Sequence, residues 1–521
     1  MSQNYLLAID AGTGSVRAVL FDRKGNQISC IQEEWDHKED PRYPGSMDFD
    51  WTHNWELAST CIRRAITSAS IDPGEISAIS TTCMREGIIL YNKEGKEIWA
   101  CANVDARSVD EVVQLIQLDP ELERLLYLES GQSYALDALP RLLWVKNKMP
   151  DIYEQIAYIG MFNDWLCYKL TGLLAVEPSN GSTTGLFDLK SRKWNPEIAR
   201  RAGLRDDIFP LVKECGTILG NTFSACTKDT GLPEGIPVVV GGGDAQLGCI
   251  GIGAIDPGQA AVFGGSFWQY EYNTDKPDTD SKCRVRVNCH AVPGIWQYEA
   301  LAFQPGLVMR WYRDSFCLAE KKIGKETGRS AYDIMNEEAE KIPAGCYGMM
   351  CAFSDVMNFI NWKHAAPTFS NFGLDPEKYN HYTFYRAILE NTALITKGHL
   401  ELVEQATGNR PKEIIFAGGA SNSPLWAQIL SDVLGLPVKV PKVKEATALG
   451  AAILAGHGIG MYKDISEAAR ELVIIEQQFI PNMENHRIYS GIYSNWRKFY
   501  QTQMELSDRM ITNNMWIAPG L

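Results

Sequence analysis

A chain of 521 residues is too long for one hydrophobic core, and it divides most naturally into two domains of about 200–250 residues each. Hydrophobic residues make up 45% of it and glycine occurs 44 times, the balance of a globular α/β protein rather than a disordered or fibrous one. Fifty basic residues against 64 acidic ones leave a net charge of −14, which argues against nucleic acid or a membrane surface as partner and favours a small molecule.

No apolar run approaches the roughly 20 residues of a bilayer span, and MSQNYLLAID lacks the basic and hydrophobic regions of a secretory signal, so a cytoplasmic protein is expected. The 13 cysteines are odd in number and lack CxxC spacing, so reduced, mostly buried thiols are expected rather than disulfides. Cys283, Cys289 and His290 come nearest to a metal cluster, but no second ligand pair accompanies them.

The first elements come from YLLAIDAGTGSVRAVLFD, Tyr5 to Asp22. Leu6 to Ile9 reads as a buried strand, Ala18 to Phe21 as its returning partner, and Asp10 to Ser15 as an acidic, glycine-rich turn. Gly12 and Gly14 let backbone N–H groups reach an anion, and Asp10 can hold a hydrated magnesium ion. Alone, the segment reads equally as a surface hairpin with an Asx turn.

Ile76 to Thr82 is a strand that leads into Cys83-Met84-Arg85-Glu86-Gly87, and Ile88 to Tyr91 continues as the next strand, so a charged pair interrupts two apolar strands. Leu139 to Lys148 and Ile152 to Leu170 read as helices, with Trp144, Phe162 and Trp165 on their core faces. The strand Val238 to Val240 runs into Gly241-Gly242-Gly243-Asp244. Turn-rich GIGAIDPG, Gly251 to Gly258, marks a domain boundary and a hinge, giving an N-terminal domain 1–255 and a C-terminal domain 256–521 with a helical tail. A second hairpin, Gln259 to Trp268, turns at Gly264-Gly265-Ser266 and echoes the first, as a duplicated fold would. Glu413 to Ala417 is a strand, Gly418 to Ser421 a turn, and Pro424 to Leu434 a helix stopped by Gly435. Small residues in Ala446 to Gly460 suit close helix packing. GxxxxGK[ST] is absent, and so is GxGxxG between strand and helix, which removes P-loop and dinucleotide-binding classes.

The DxGTxS hairpin, the mid-chain GGGD turn, the GGS hairpin and the late GGA turn, in that order from Leu6 to about Gly460, resemble the FGGY carbohydrate kinases. The resemblance implies an α/β fold of two actin-like (ribonuclease H-like) domains, with ATP, Mg2+ and the substrate in a cleft between them. MREGIILYNKEGKEIWACANVDAR, Met84 to Arg107, and the ending Trp516 to Leu521 narrow it to a kinase of a short dicarbonyl polyol. A related kinase for a pentulose or other polyol would share every nucleotide-side residue. A non-catalytic actin-like ATP sensor is the reading from another class.

By this resemblance Asp244 is the base that accepts the acceptor hydroxyl's proton and, with Asp10, faces the metal; from its own sequence context it reads as well as a helix N-cap. Arg85 and Glu86 would grip the acceptor, with Asp105, Arg107 and Asp244 completing its pocket. Gly12, Thr13, Gly14 and Arg17 would meet the phosphates from one side and Gly265 and Ser266 from the other, with Gly306, Arg310, Gly419, Ala420 and Ser423 on the nucleotide. The chain departs from glycerol kinases at Arg310 and Ser423, and at Val104 and Ala245, which replace an aromatic and a glutamine and make the pocket less polar.

Overall fold

The computed structural model describes residues 4–443, 445–519 and 521; Met1 to Gln3, Lys444 and the ending's Gly520 lie outside them. Two mixed sheets form the framework. The first has six strands in the order Ile218–Asn221, Pro237–Gly243, Ile76–Cys83, Tyr5–Ala11, Ser15–Asp22, Gln27–Glu34. The apolar runs at Tyr5 and Ser15 pair antiparallel across the glycine turn, while Tyr5–Ala11, Ile76–Cys83 and Pro237–Gly243 run parallel side by side. All three parallel strands are almost wholly buried, as strands covered on both faces must be.

The second sheet has seven strands in the order Arg286–Cys289, Trp296–Ala302, Trp268–Thr274, Ala260–Gly264, Ile414–Ala417, Val438–Pro441, Ile475–Phe479. It repeats the plan of the first: an antiparallel hairpin, Ala260–Gly264 with Trp268–Thr274, joined through its first strand to the parallel strands Ile414–Ala417 and Val438–Pro441. The echo between the two hairpins in the sequence is therefore a duplication of the sheet.

Two helices lie between the sheets, Asp244–Gly251 and Ala446–Gly458. A Cβ on Gly450 would sit 2.0 Å from Leu247 O, and one on Gly251 would sit 1.8 Å from Ala446 O, so only glycine permits this approach. Leu449, Ala452 and Ile453 share a core cluster with Leu6, Ala8 and Val19 of the first sheet. Cys249 and Ile252 share another with Ala261 and Ile415 of the second. The chain thus passes between the sheets twice, once after Gly251 and again on returning into Ala446–Gly458.

Ile152 to Leu170 is not one helix. It divides into Pro150–Tyr153, the strand Tyr158–Met161 and the helix Phe162–Thr171, because Tyr158–Met161 pairs antiparallel with Ile88–Tyr91. Tertiary pairing overrides the local helical pattern there. Trp144, Phe162 and Trp165 are buried as expected. The cysteines are free, and all but Cys30 are buried. Among the described residues no helix is long and apolar enough to cross a membrane.

Candidate active site

Three neighbouring parallel strands bring the charged residues of the site to one edge. Asp10 lies near the end of Tyr5–Ala11, Arg85 and Glu86 follow Ile76–Cys83, and Asp244 follows Pro237–Gly243 and opens the next helix. Ala11 and Gly243 are both in register with Cys83, so these ends are level. The carboxyl ends of parallel strands are where α/β sheets open their binding clefts.

Arg85 Nε donates to Asp244 Oδ1 at 3.2 Å. Its Nη1 is paired with the buried Glu299 of the second sheet. Arg286, also buried, pairs with Glu86 Oε1 at 2.6 Å and with Glu299 Oε1 at 3.0 Å, and donates from Nε to Gln132 Oε1 at 2.7 Å. Burial works against the Glu299 carboxylate, but the Arg85 and Arg286 charges hold its pKa below the ordinary range. The adjacent Glu271 is pushed well above it, by burial and then by the Glu299 charge. Glu86 adopts a left-handed backbone, φ 64°, a strained conformation for a residue with a side chain and one concentrated at functional sites.

Asp244 keeps 40% of its side chain exposed, unlike the groups that hold it. Enclosure in the cleft raises its pKa, with Arg85 opposing and Glu86 reinforcing the shift. Burial lifts the Asp10 carboxyl to about 7; Arg17 opposes this, while the Asp244 and Glu445 charges add to it. Arg17 Nη1 lies 3.5 Å from Asp10 Oδ2 and 3.2 Å from Glu445 Oε2. Asp10, Asp244 and Glu445, whose charges reach one another, are oxygen donors of the kind a hard divalent cation takes.

Around the glycine turns the contacts are made by backbone. Trp35 Nε1 donates to the carbonyls of Gly12 and Thr13 at 3.0 and 3.1 Å, and His37 Nε2 to Thr13 O at 2.7 Å. Thr13 and Gly14 themselves are exposed at the tip of the turn. Across the second sheet, a Cβ on Gly306 would sit 2.0 Å from Gly265 O, one on Gly264 would sit 2.5 Å from Ala420 Cβ, and one on Gly418 would sit 2.6 Å from Gly264 O. Gly265, Ser266, Gly306 and Ala420 are therefore brought into one wall, and Gly419 is open to solvent beside it. Arg310 is exposed on the helix Pro305–Phe316. Ser423 uses its side chain to cap the helix Pro424–Leu434, accepting from Trp426 N at 3.2 Å.

Asp105 and Arg107 are turned toward each other. Arg107 Nε donates to Asp105 Oδ2 at 2.8 Å, Asp105 also accepts from Met47 N at 2.6 Å, and the guanidinium lies over Trp144 at 4.8 Å and Trp99 at 5.3 Å. Both are buried and fix the path of their loop, on which Val104 is exposed. Ala245 is buried. Among the described residues one Cys/His/carboxylate grouping brings its ligand atoms within 4.8 Å, Cys317, Glu320 and His381, not the Cys283, Cys289 and His290 singled out in the sequence. There Glu320 Oε1 is already engaged by His381 Nε2 at 3.0 Å and Tyr382 OH at 2.7 Å.

Glu445, Glu299, Arg286 and Arg141 escape the sequence reading. Arg286 and Glu299 carry a signal, since each is a charge set within an otherwise apolar or neutral strand, VRVNC and WQYEALA. Glu445 and Arg141 carry none; their roles come from contacts across 428 and 55 residues.

The fold is thus a duplicated pair of sheets, with a carboxylate and an Arg-Glu pair at one strand edge and glycine turns on both sheets. Family models for the N-terminal and C-terminal domains of the FGGY family of carbohydrate kinases match residues 5–251 and 271–459, and the chain belongs to that family. It is 48% identical over all 521 residues to the autoinducer-2 kinase of Yersinia enterocolitica, covering 98% of that protein, and 49% identical over 521 residues to the autoinducer-2 kinase of Escherichia coli K12, with the same coverage. Among solved structures, xylulose kinase from Rhodospirillum rubrum superposes with a TM-score of 0.84 at 22% identity, over 96% of this chain and 99% of that one. Plasmodium falciparum glycerol kinase with ADP gives 0.81 at 19% identity, over 96% and 98%.

Proposed function

We propose that this kinase transfers the γ-phosphoryl group of ATP to the terminal hydroxyl of linear 4,5-dihydroxy-2,3-pentanedione, the open form of autoinducer-2, and so acts in quorum sensing in the cytoplasm. The observation that carries the chemistry is Asp244, a part-exposed carboxylate at a strand end whose neighbours are a buried arginine and its counter-charges. The identity over the full chain to autoinducer-2 kinases supports the acceptor.

In the reaction the acceptor's terminal O–H gives its proton to Asp244 as the oxygen bonds to the γ-phosphorus, and the bond to the bridging oxygen breaks to release ADP. Arg85 and Glu86 orient the acceptor; Arg85 also holds Asp244 in place through its Nε contact. Glu299 and Arg286 fix that clamp from the second sheet, and Asp105 and Arg107 fix the loop beside it. The amides of Thr13 and Gly14, with Arg17, receive the phosphates from one hairpin; Gly265 and Ser266 receive them from the other, while Gly306, Arg310, Gly419, Ala420 and Ser423 border the rest of the nucleotide. Asp10, with Asp244 and Glu445 nearby, would hold Mg2+, which when bound neutralises charge on the phosphates.

ADP release coupled to a panel of acceptors tests the proposal. Turnover with freshly prepared dihydroxypentanedione at least about a hundredfold above glycerol is expected, since each hydroxyl left unpaired on desolvation costs about 1–3 kcal/mol.

A further inference from the structure

We infer that Asn103 couples the acceptor pocket to the phosphate hairpin, so that filling either site tightens the other. The inference rests on the kinase reading above and deepens it. Asn103 begins the loop that Asp105 and Arg107 shape, and its Nδ2 donates to Thr13 Oγ1 at 3.0 Å. Among the described residues this is the side-chain hydrogen bond that joins the loop to the hairpin.

Both ends of that link are anchored. On the acceptor side the buried Arg141 donates from Nη2 to the carbonyls of Asn103 and Asp105 at 2.9 and 3.0 Å, and from Nη1 to the carbonyl of Glu86. One guanidinium therefore ties the loop and the Arg-Glu clamp into a single body. On the nucleotide side Trp35 and His37 hold the Thr13 carbonyl, so that a pull on Thr13 Oγ1 reorients the Thr13 and Gly14 amides rather than dissipating in a loose turn. An acceptor that fixes the Glu86 backbone and the 103–107 loop also fixes Thr13, and the nucleotide then has less to order on binding. Linkage makes the effect reciprocal. Because Asn103 is half-buried and Thr13 exposed, the link is worth one neutral hydrogen bond, a coupling factor of about two- to tenfold.

Calorimetric titration of β,γ-imido-ATP with Mg2+, in the absence and presence of saturating dihydroxypentanedione, reads the factor without turnover. The wild type should bind the nucleotide about two- to tenfold more tightly with acceptor present. In Asn103→Ala the factor should fall close to one, while each ligand alone binds within about twofold of wild type. Thr13→Ser, which keeps the hydroxyl, should keep the coupling; Thr13→Val should lose it, and the double variant Asn103→Ala/Thr13→Val should lose no more than either single change. A merely structural role would weaken both ligands alike and leave the factor intact. The inference is overturned if Asn103→Ala retains the wild-type factor, or if a wild-type enzyme that turns over dihydroxypentanedione binds nucleotide independently of it. Absence of turnover would count against the acceptor assignment instead, and the titration repeated with the acceptor that the coupled assay selects would still decide the role of Asn103.

Discussion

On the proposed acceptor side of the cleft the wall is made of side chains: Arg85, Glu86, Arg286 and Glu299 are all buried, and each is held by a charge from another strand. On the proposed nucleotide side the second sheet's wall is backbone, with Gly264, Gly306 and Gly418 packed against neighbouring main chain and Ala420. The first arrangement is preorganised and intolerant, because removing one member of a buried ion pair strands its partner. The second binds through N–H groups that every residue possesses, so what it requires of the sequence is the absence of side chains at points of close approach. On the proposed function, specificity for the acceptor would reside in charges and affinity for ATP in shape.

The comparison can be broken by substitution on either side, beginning with the largest effect. Asp244→Asn should keep nucleotide binding, measured by calorimetry, and lower turnover by at least about 10²–10⁴-fold. Near-normal turnover would remove Asp244 from its role. Glu299→Ala should destabilise the fold by about 3–5 kcal/mol in denaturant titration, because Arg85 and Arg286 would share one fewer buried counter-charge. The folded fraction should show a raised acceptor KM with ATP affinity nearly unchanged; equal losses for both ligands would mean that the two sides are not separately built.

On the nucleotide side, Gly306→Ala places a methyl against Gly265 O and must shift the backbone, so ATP affinity should fall about tenfold or more. Gly419→Ala meets nothing within 4 Å, and its stability should lie within about 0.5 kcal/mol of wild type. Similar stabilities for both variants would contradict the close-packed wall.

The smallest effects concern pH. In its proposed role as base Asp244 must be ionised; with its pKa raised above 3.8, activity should fall with acidification through a midpoint above that value. A rate profile flat down to pH 4 would contradict the shift. Away from both walls, His290, His364 and His399 are buried with pKa values of about 3, the result of burial, with Arg192 adding to the effect at His290 and His399 at His364. Their folded pKa lies below the unfolded value of 6.5, so each contributes stability that is present above 6.5 and lost as pH falls toward 3. Their imidazole proton shifts should stay constant between pH 8 and 5.

The same contrast decided how much could be read in advance. Glycine turns and the Arg85-Glu86 and GGGD motifs are local, so the hairpins, the parallel strands and the strand-edge carboxylate were legible in the sequence. Tyr158–Met161 was not, because its strand character comes from pairing with Ile88–Tyr91. Nor were the partners that make the clamp rigid: Glu299 lies 214 residues from Arg85, and only the fold brings a second sheet against the first. The resemblance places Asp105 and Arg107 by the pocket; what it did not show is that the two are paired and buried, with the Arg107 guanidinium over Trp99 and Trp144.

The central claim is that the charged wall selects a dicarbonyl acceptor, and it is tested most directly by kcat/KM for freshly prepared dihydroxypentanedione, xylulose and glycerol, measured side by side through coupled ADP release. The account predicts preference for dihydroxypentanedione, by about a hundredfold or more over glycerol when two or more hydroxyls go unpaired. Comparable efficiency with xylulose or glycerol would contradict the acceptor assignment and leave the kinase itself standing.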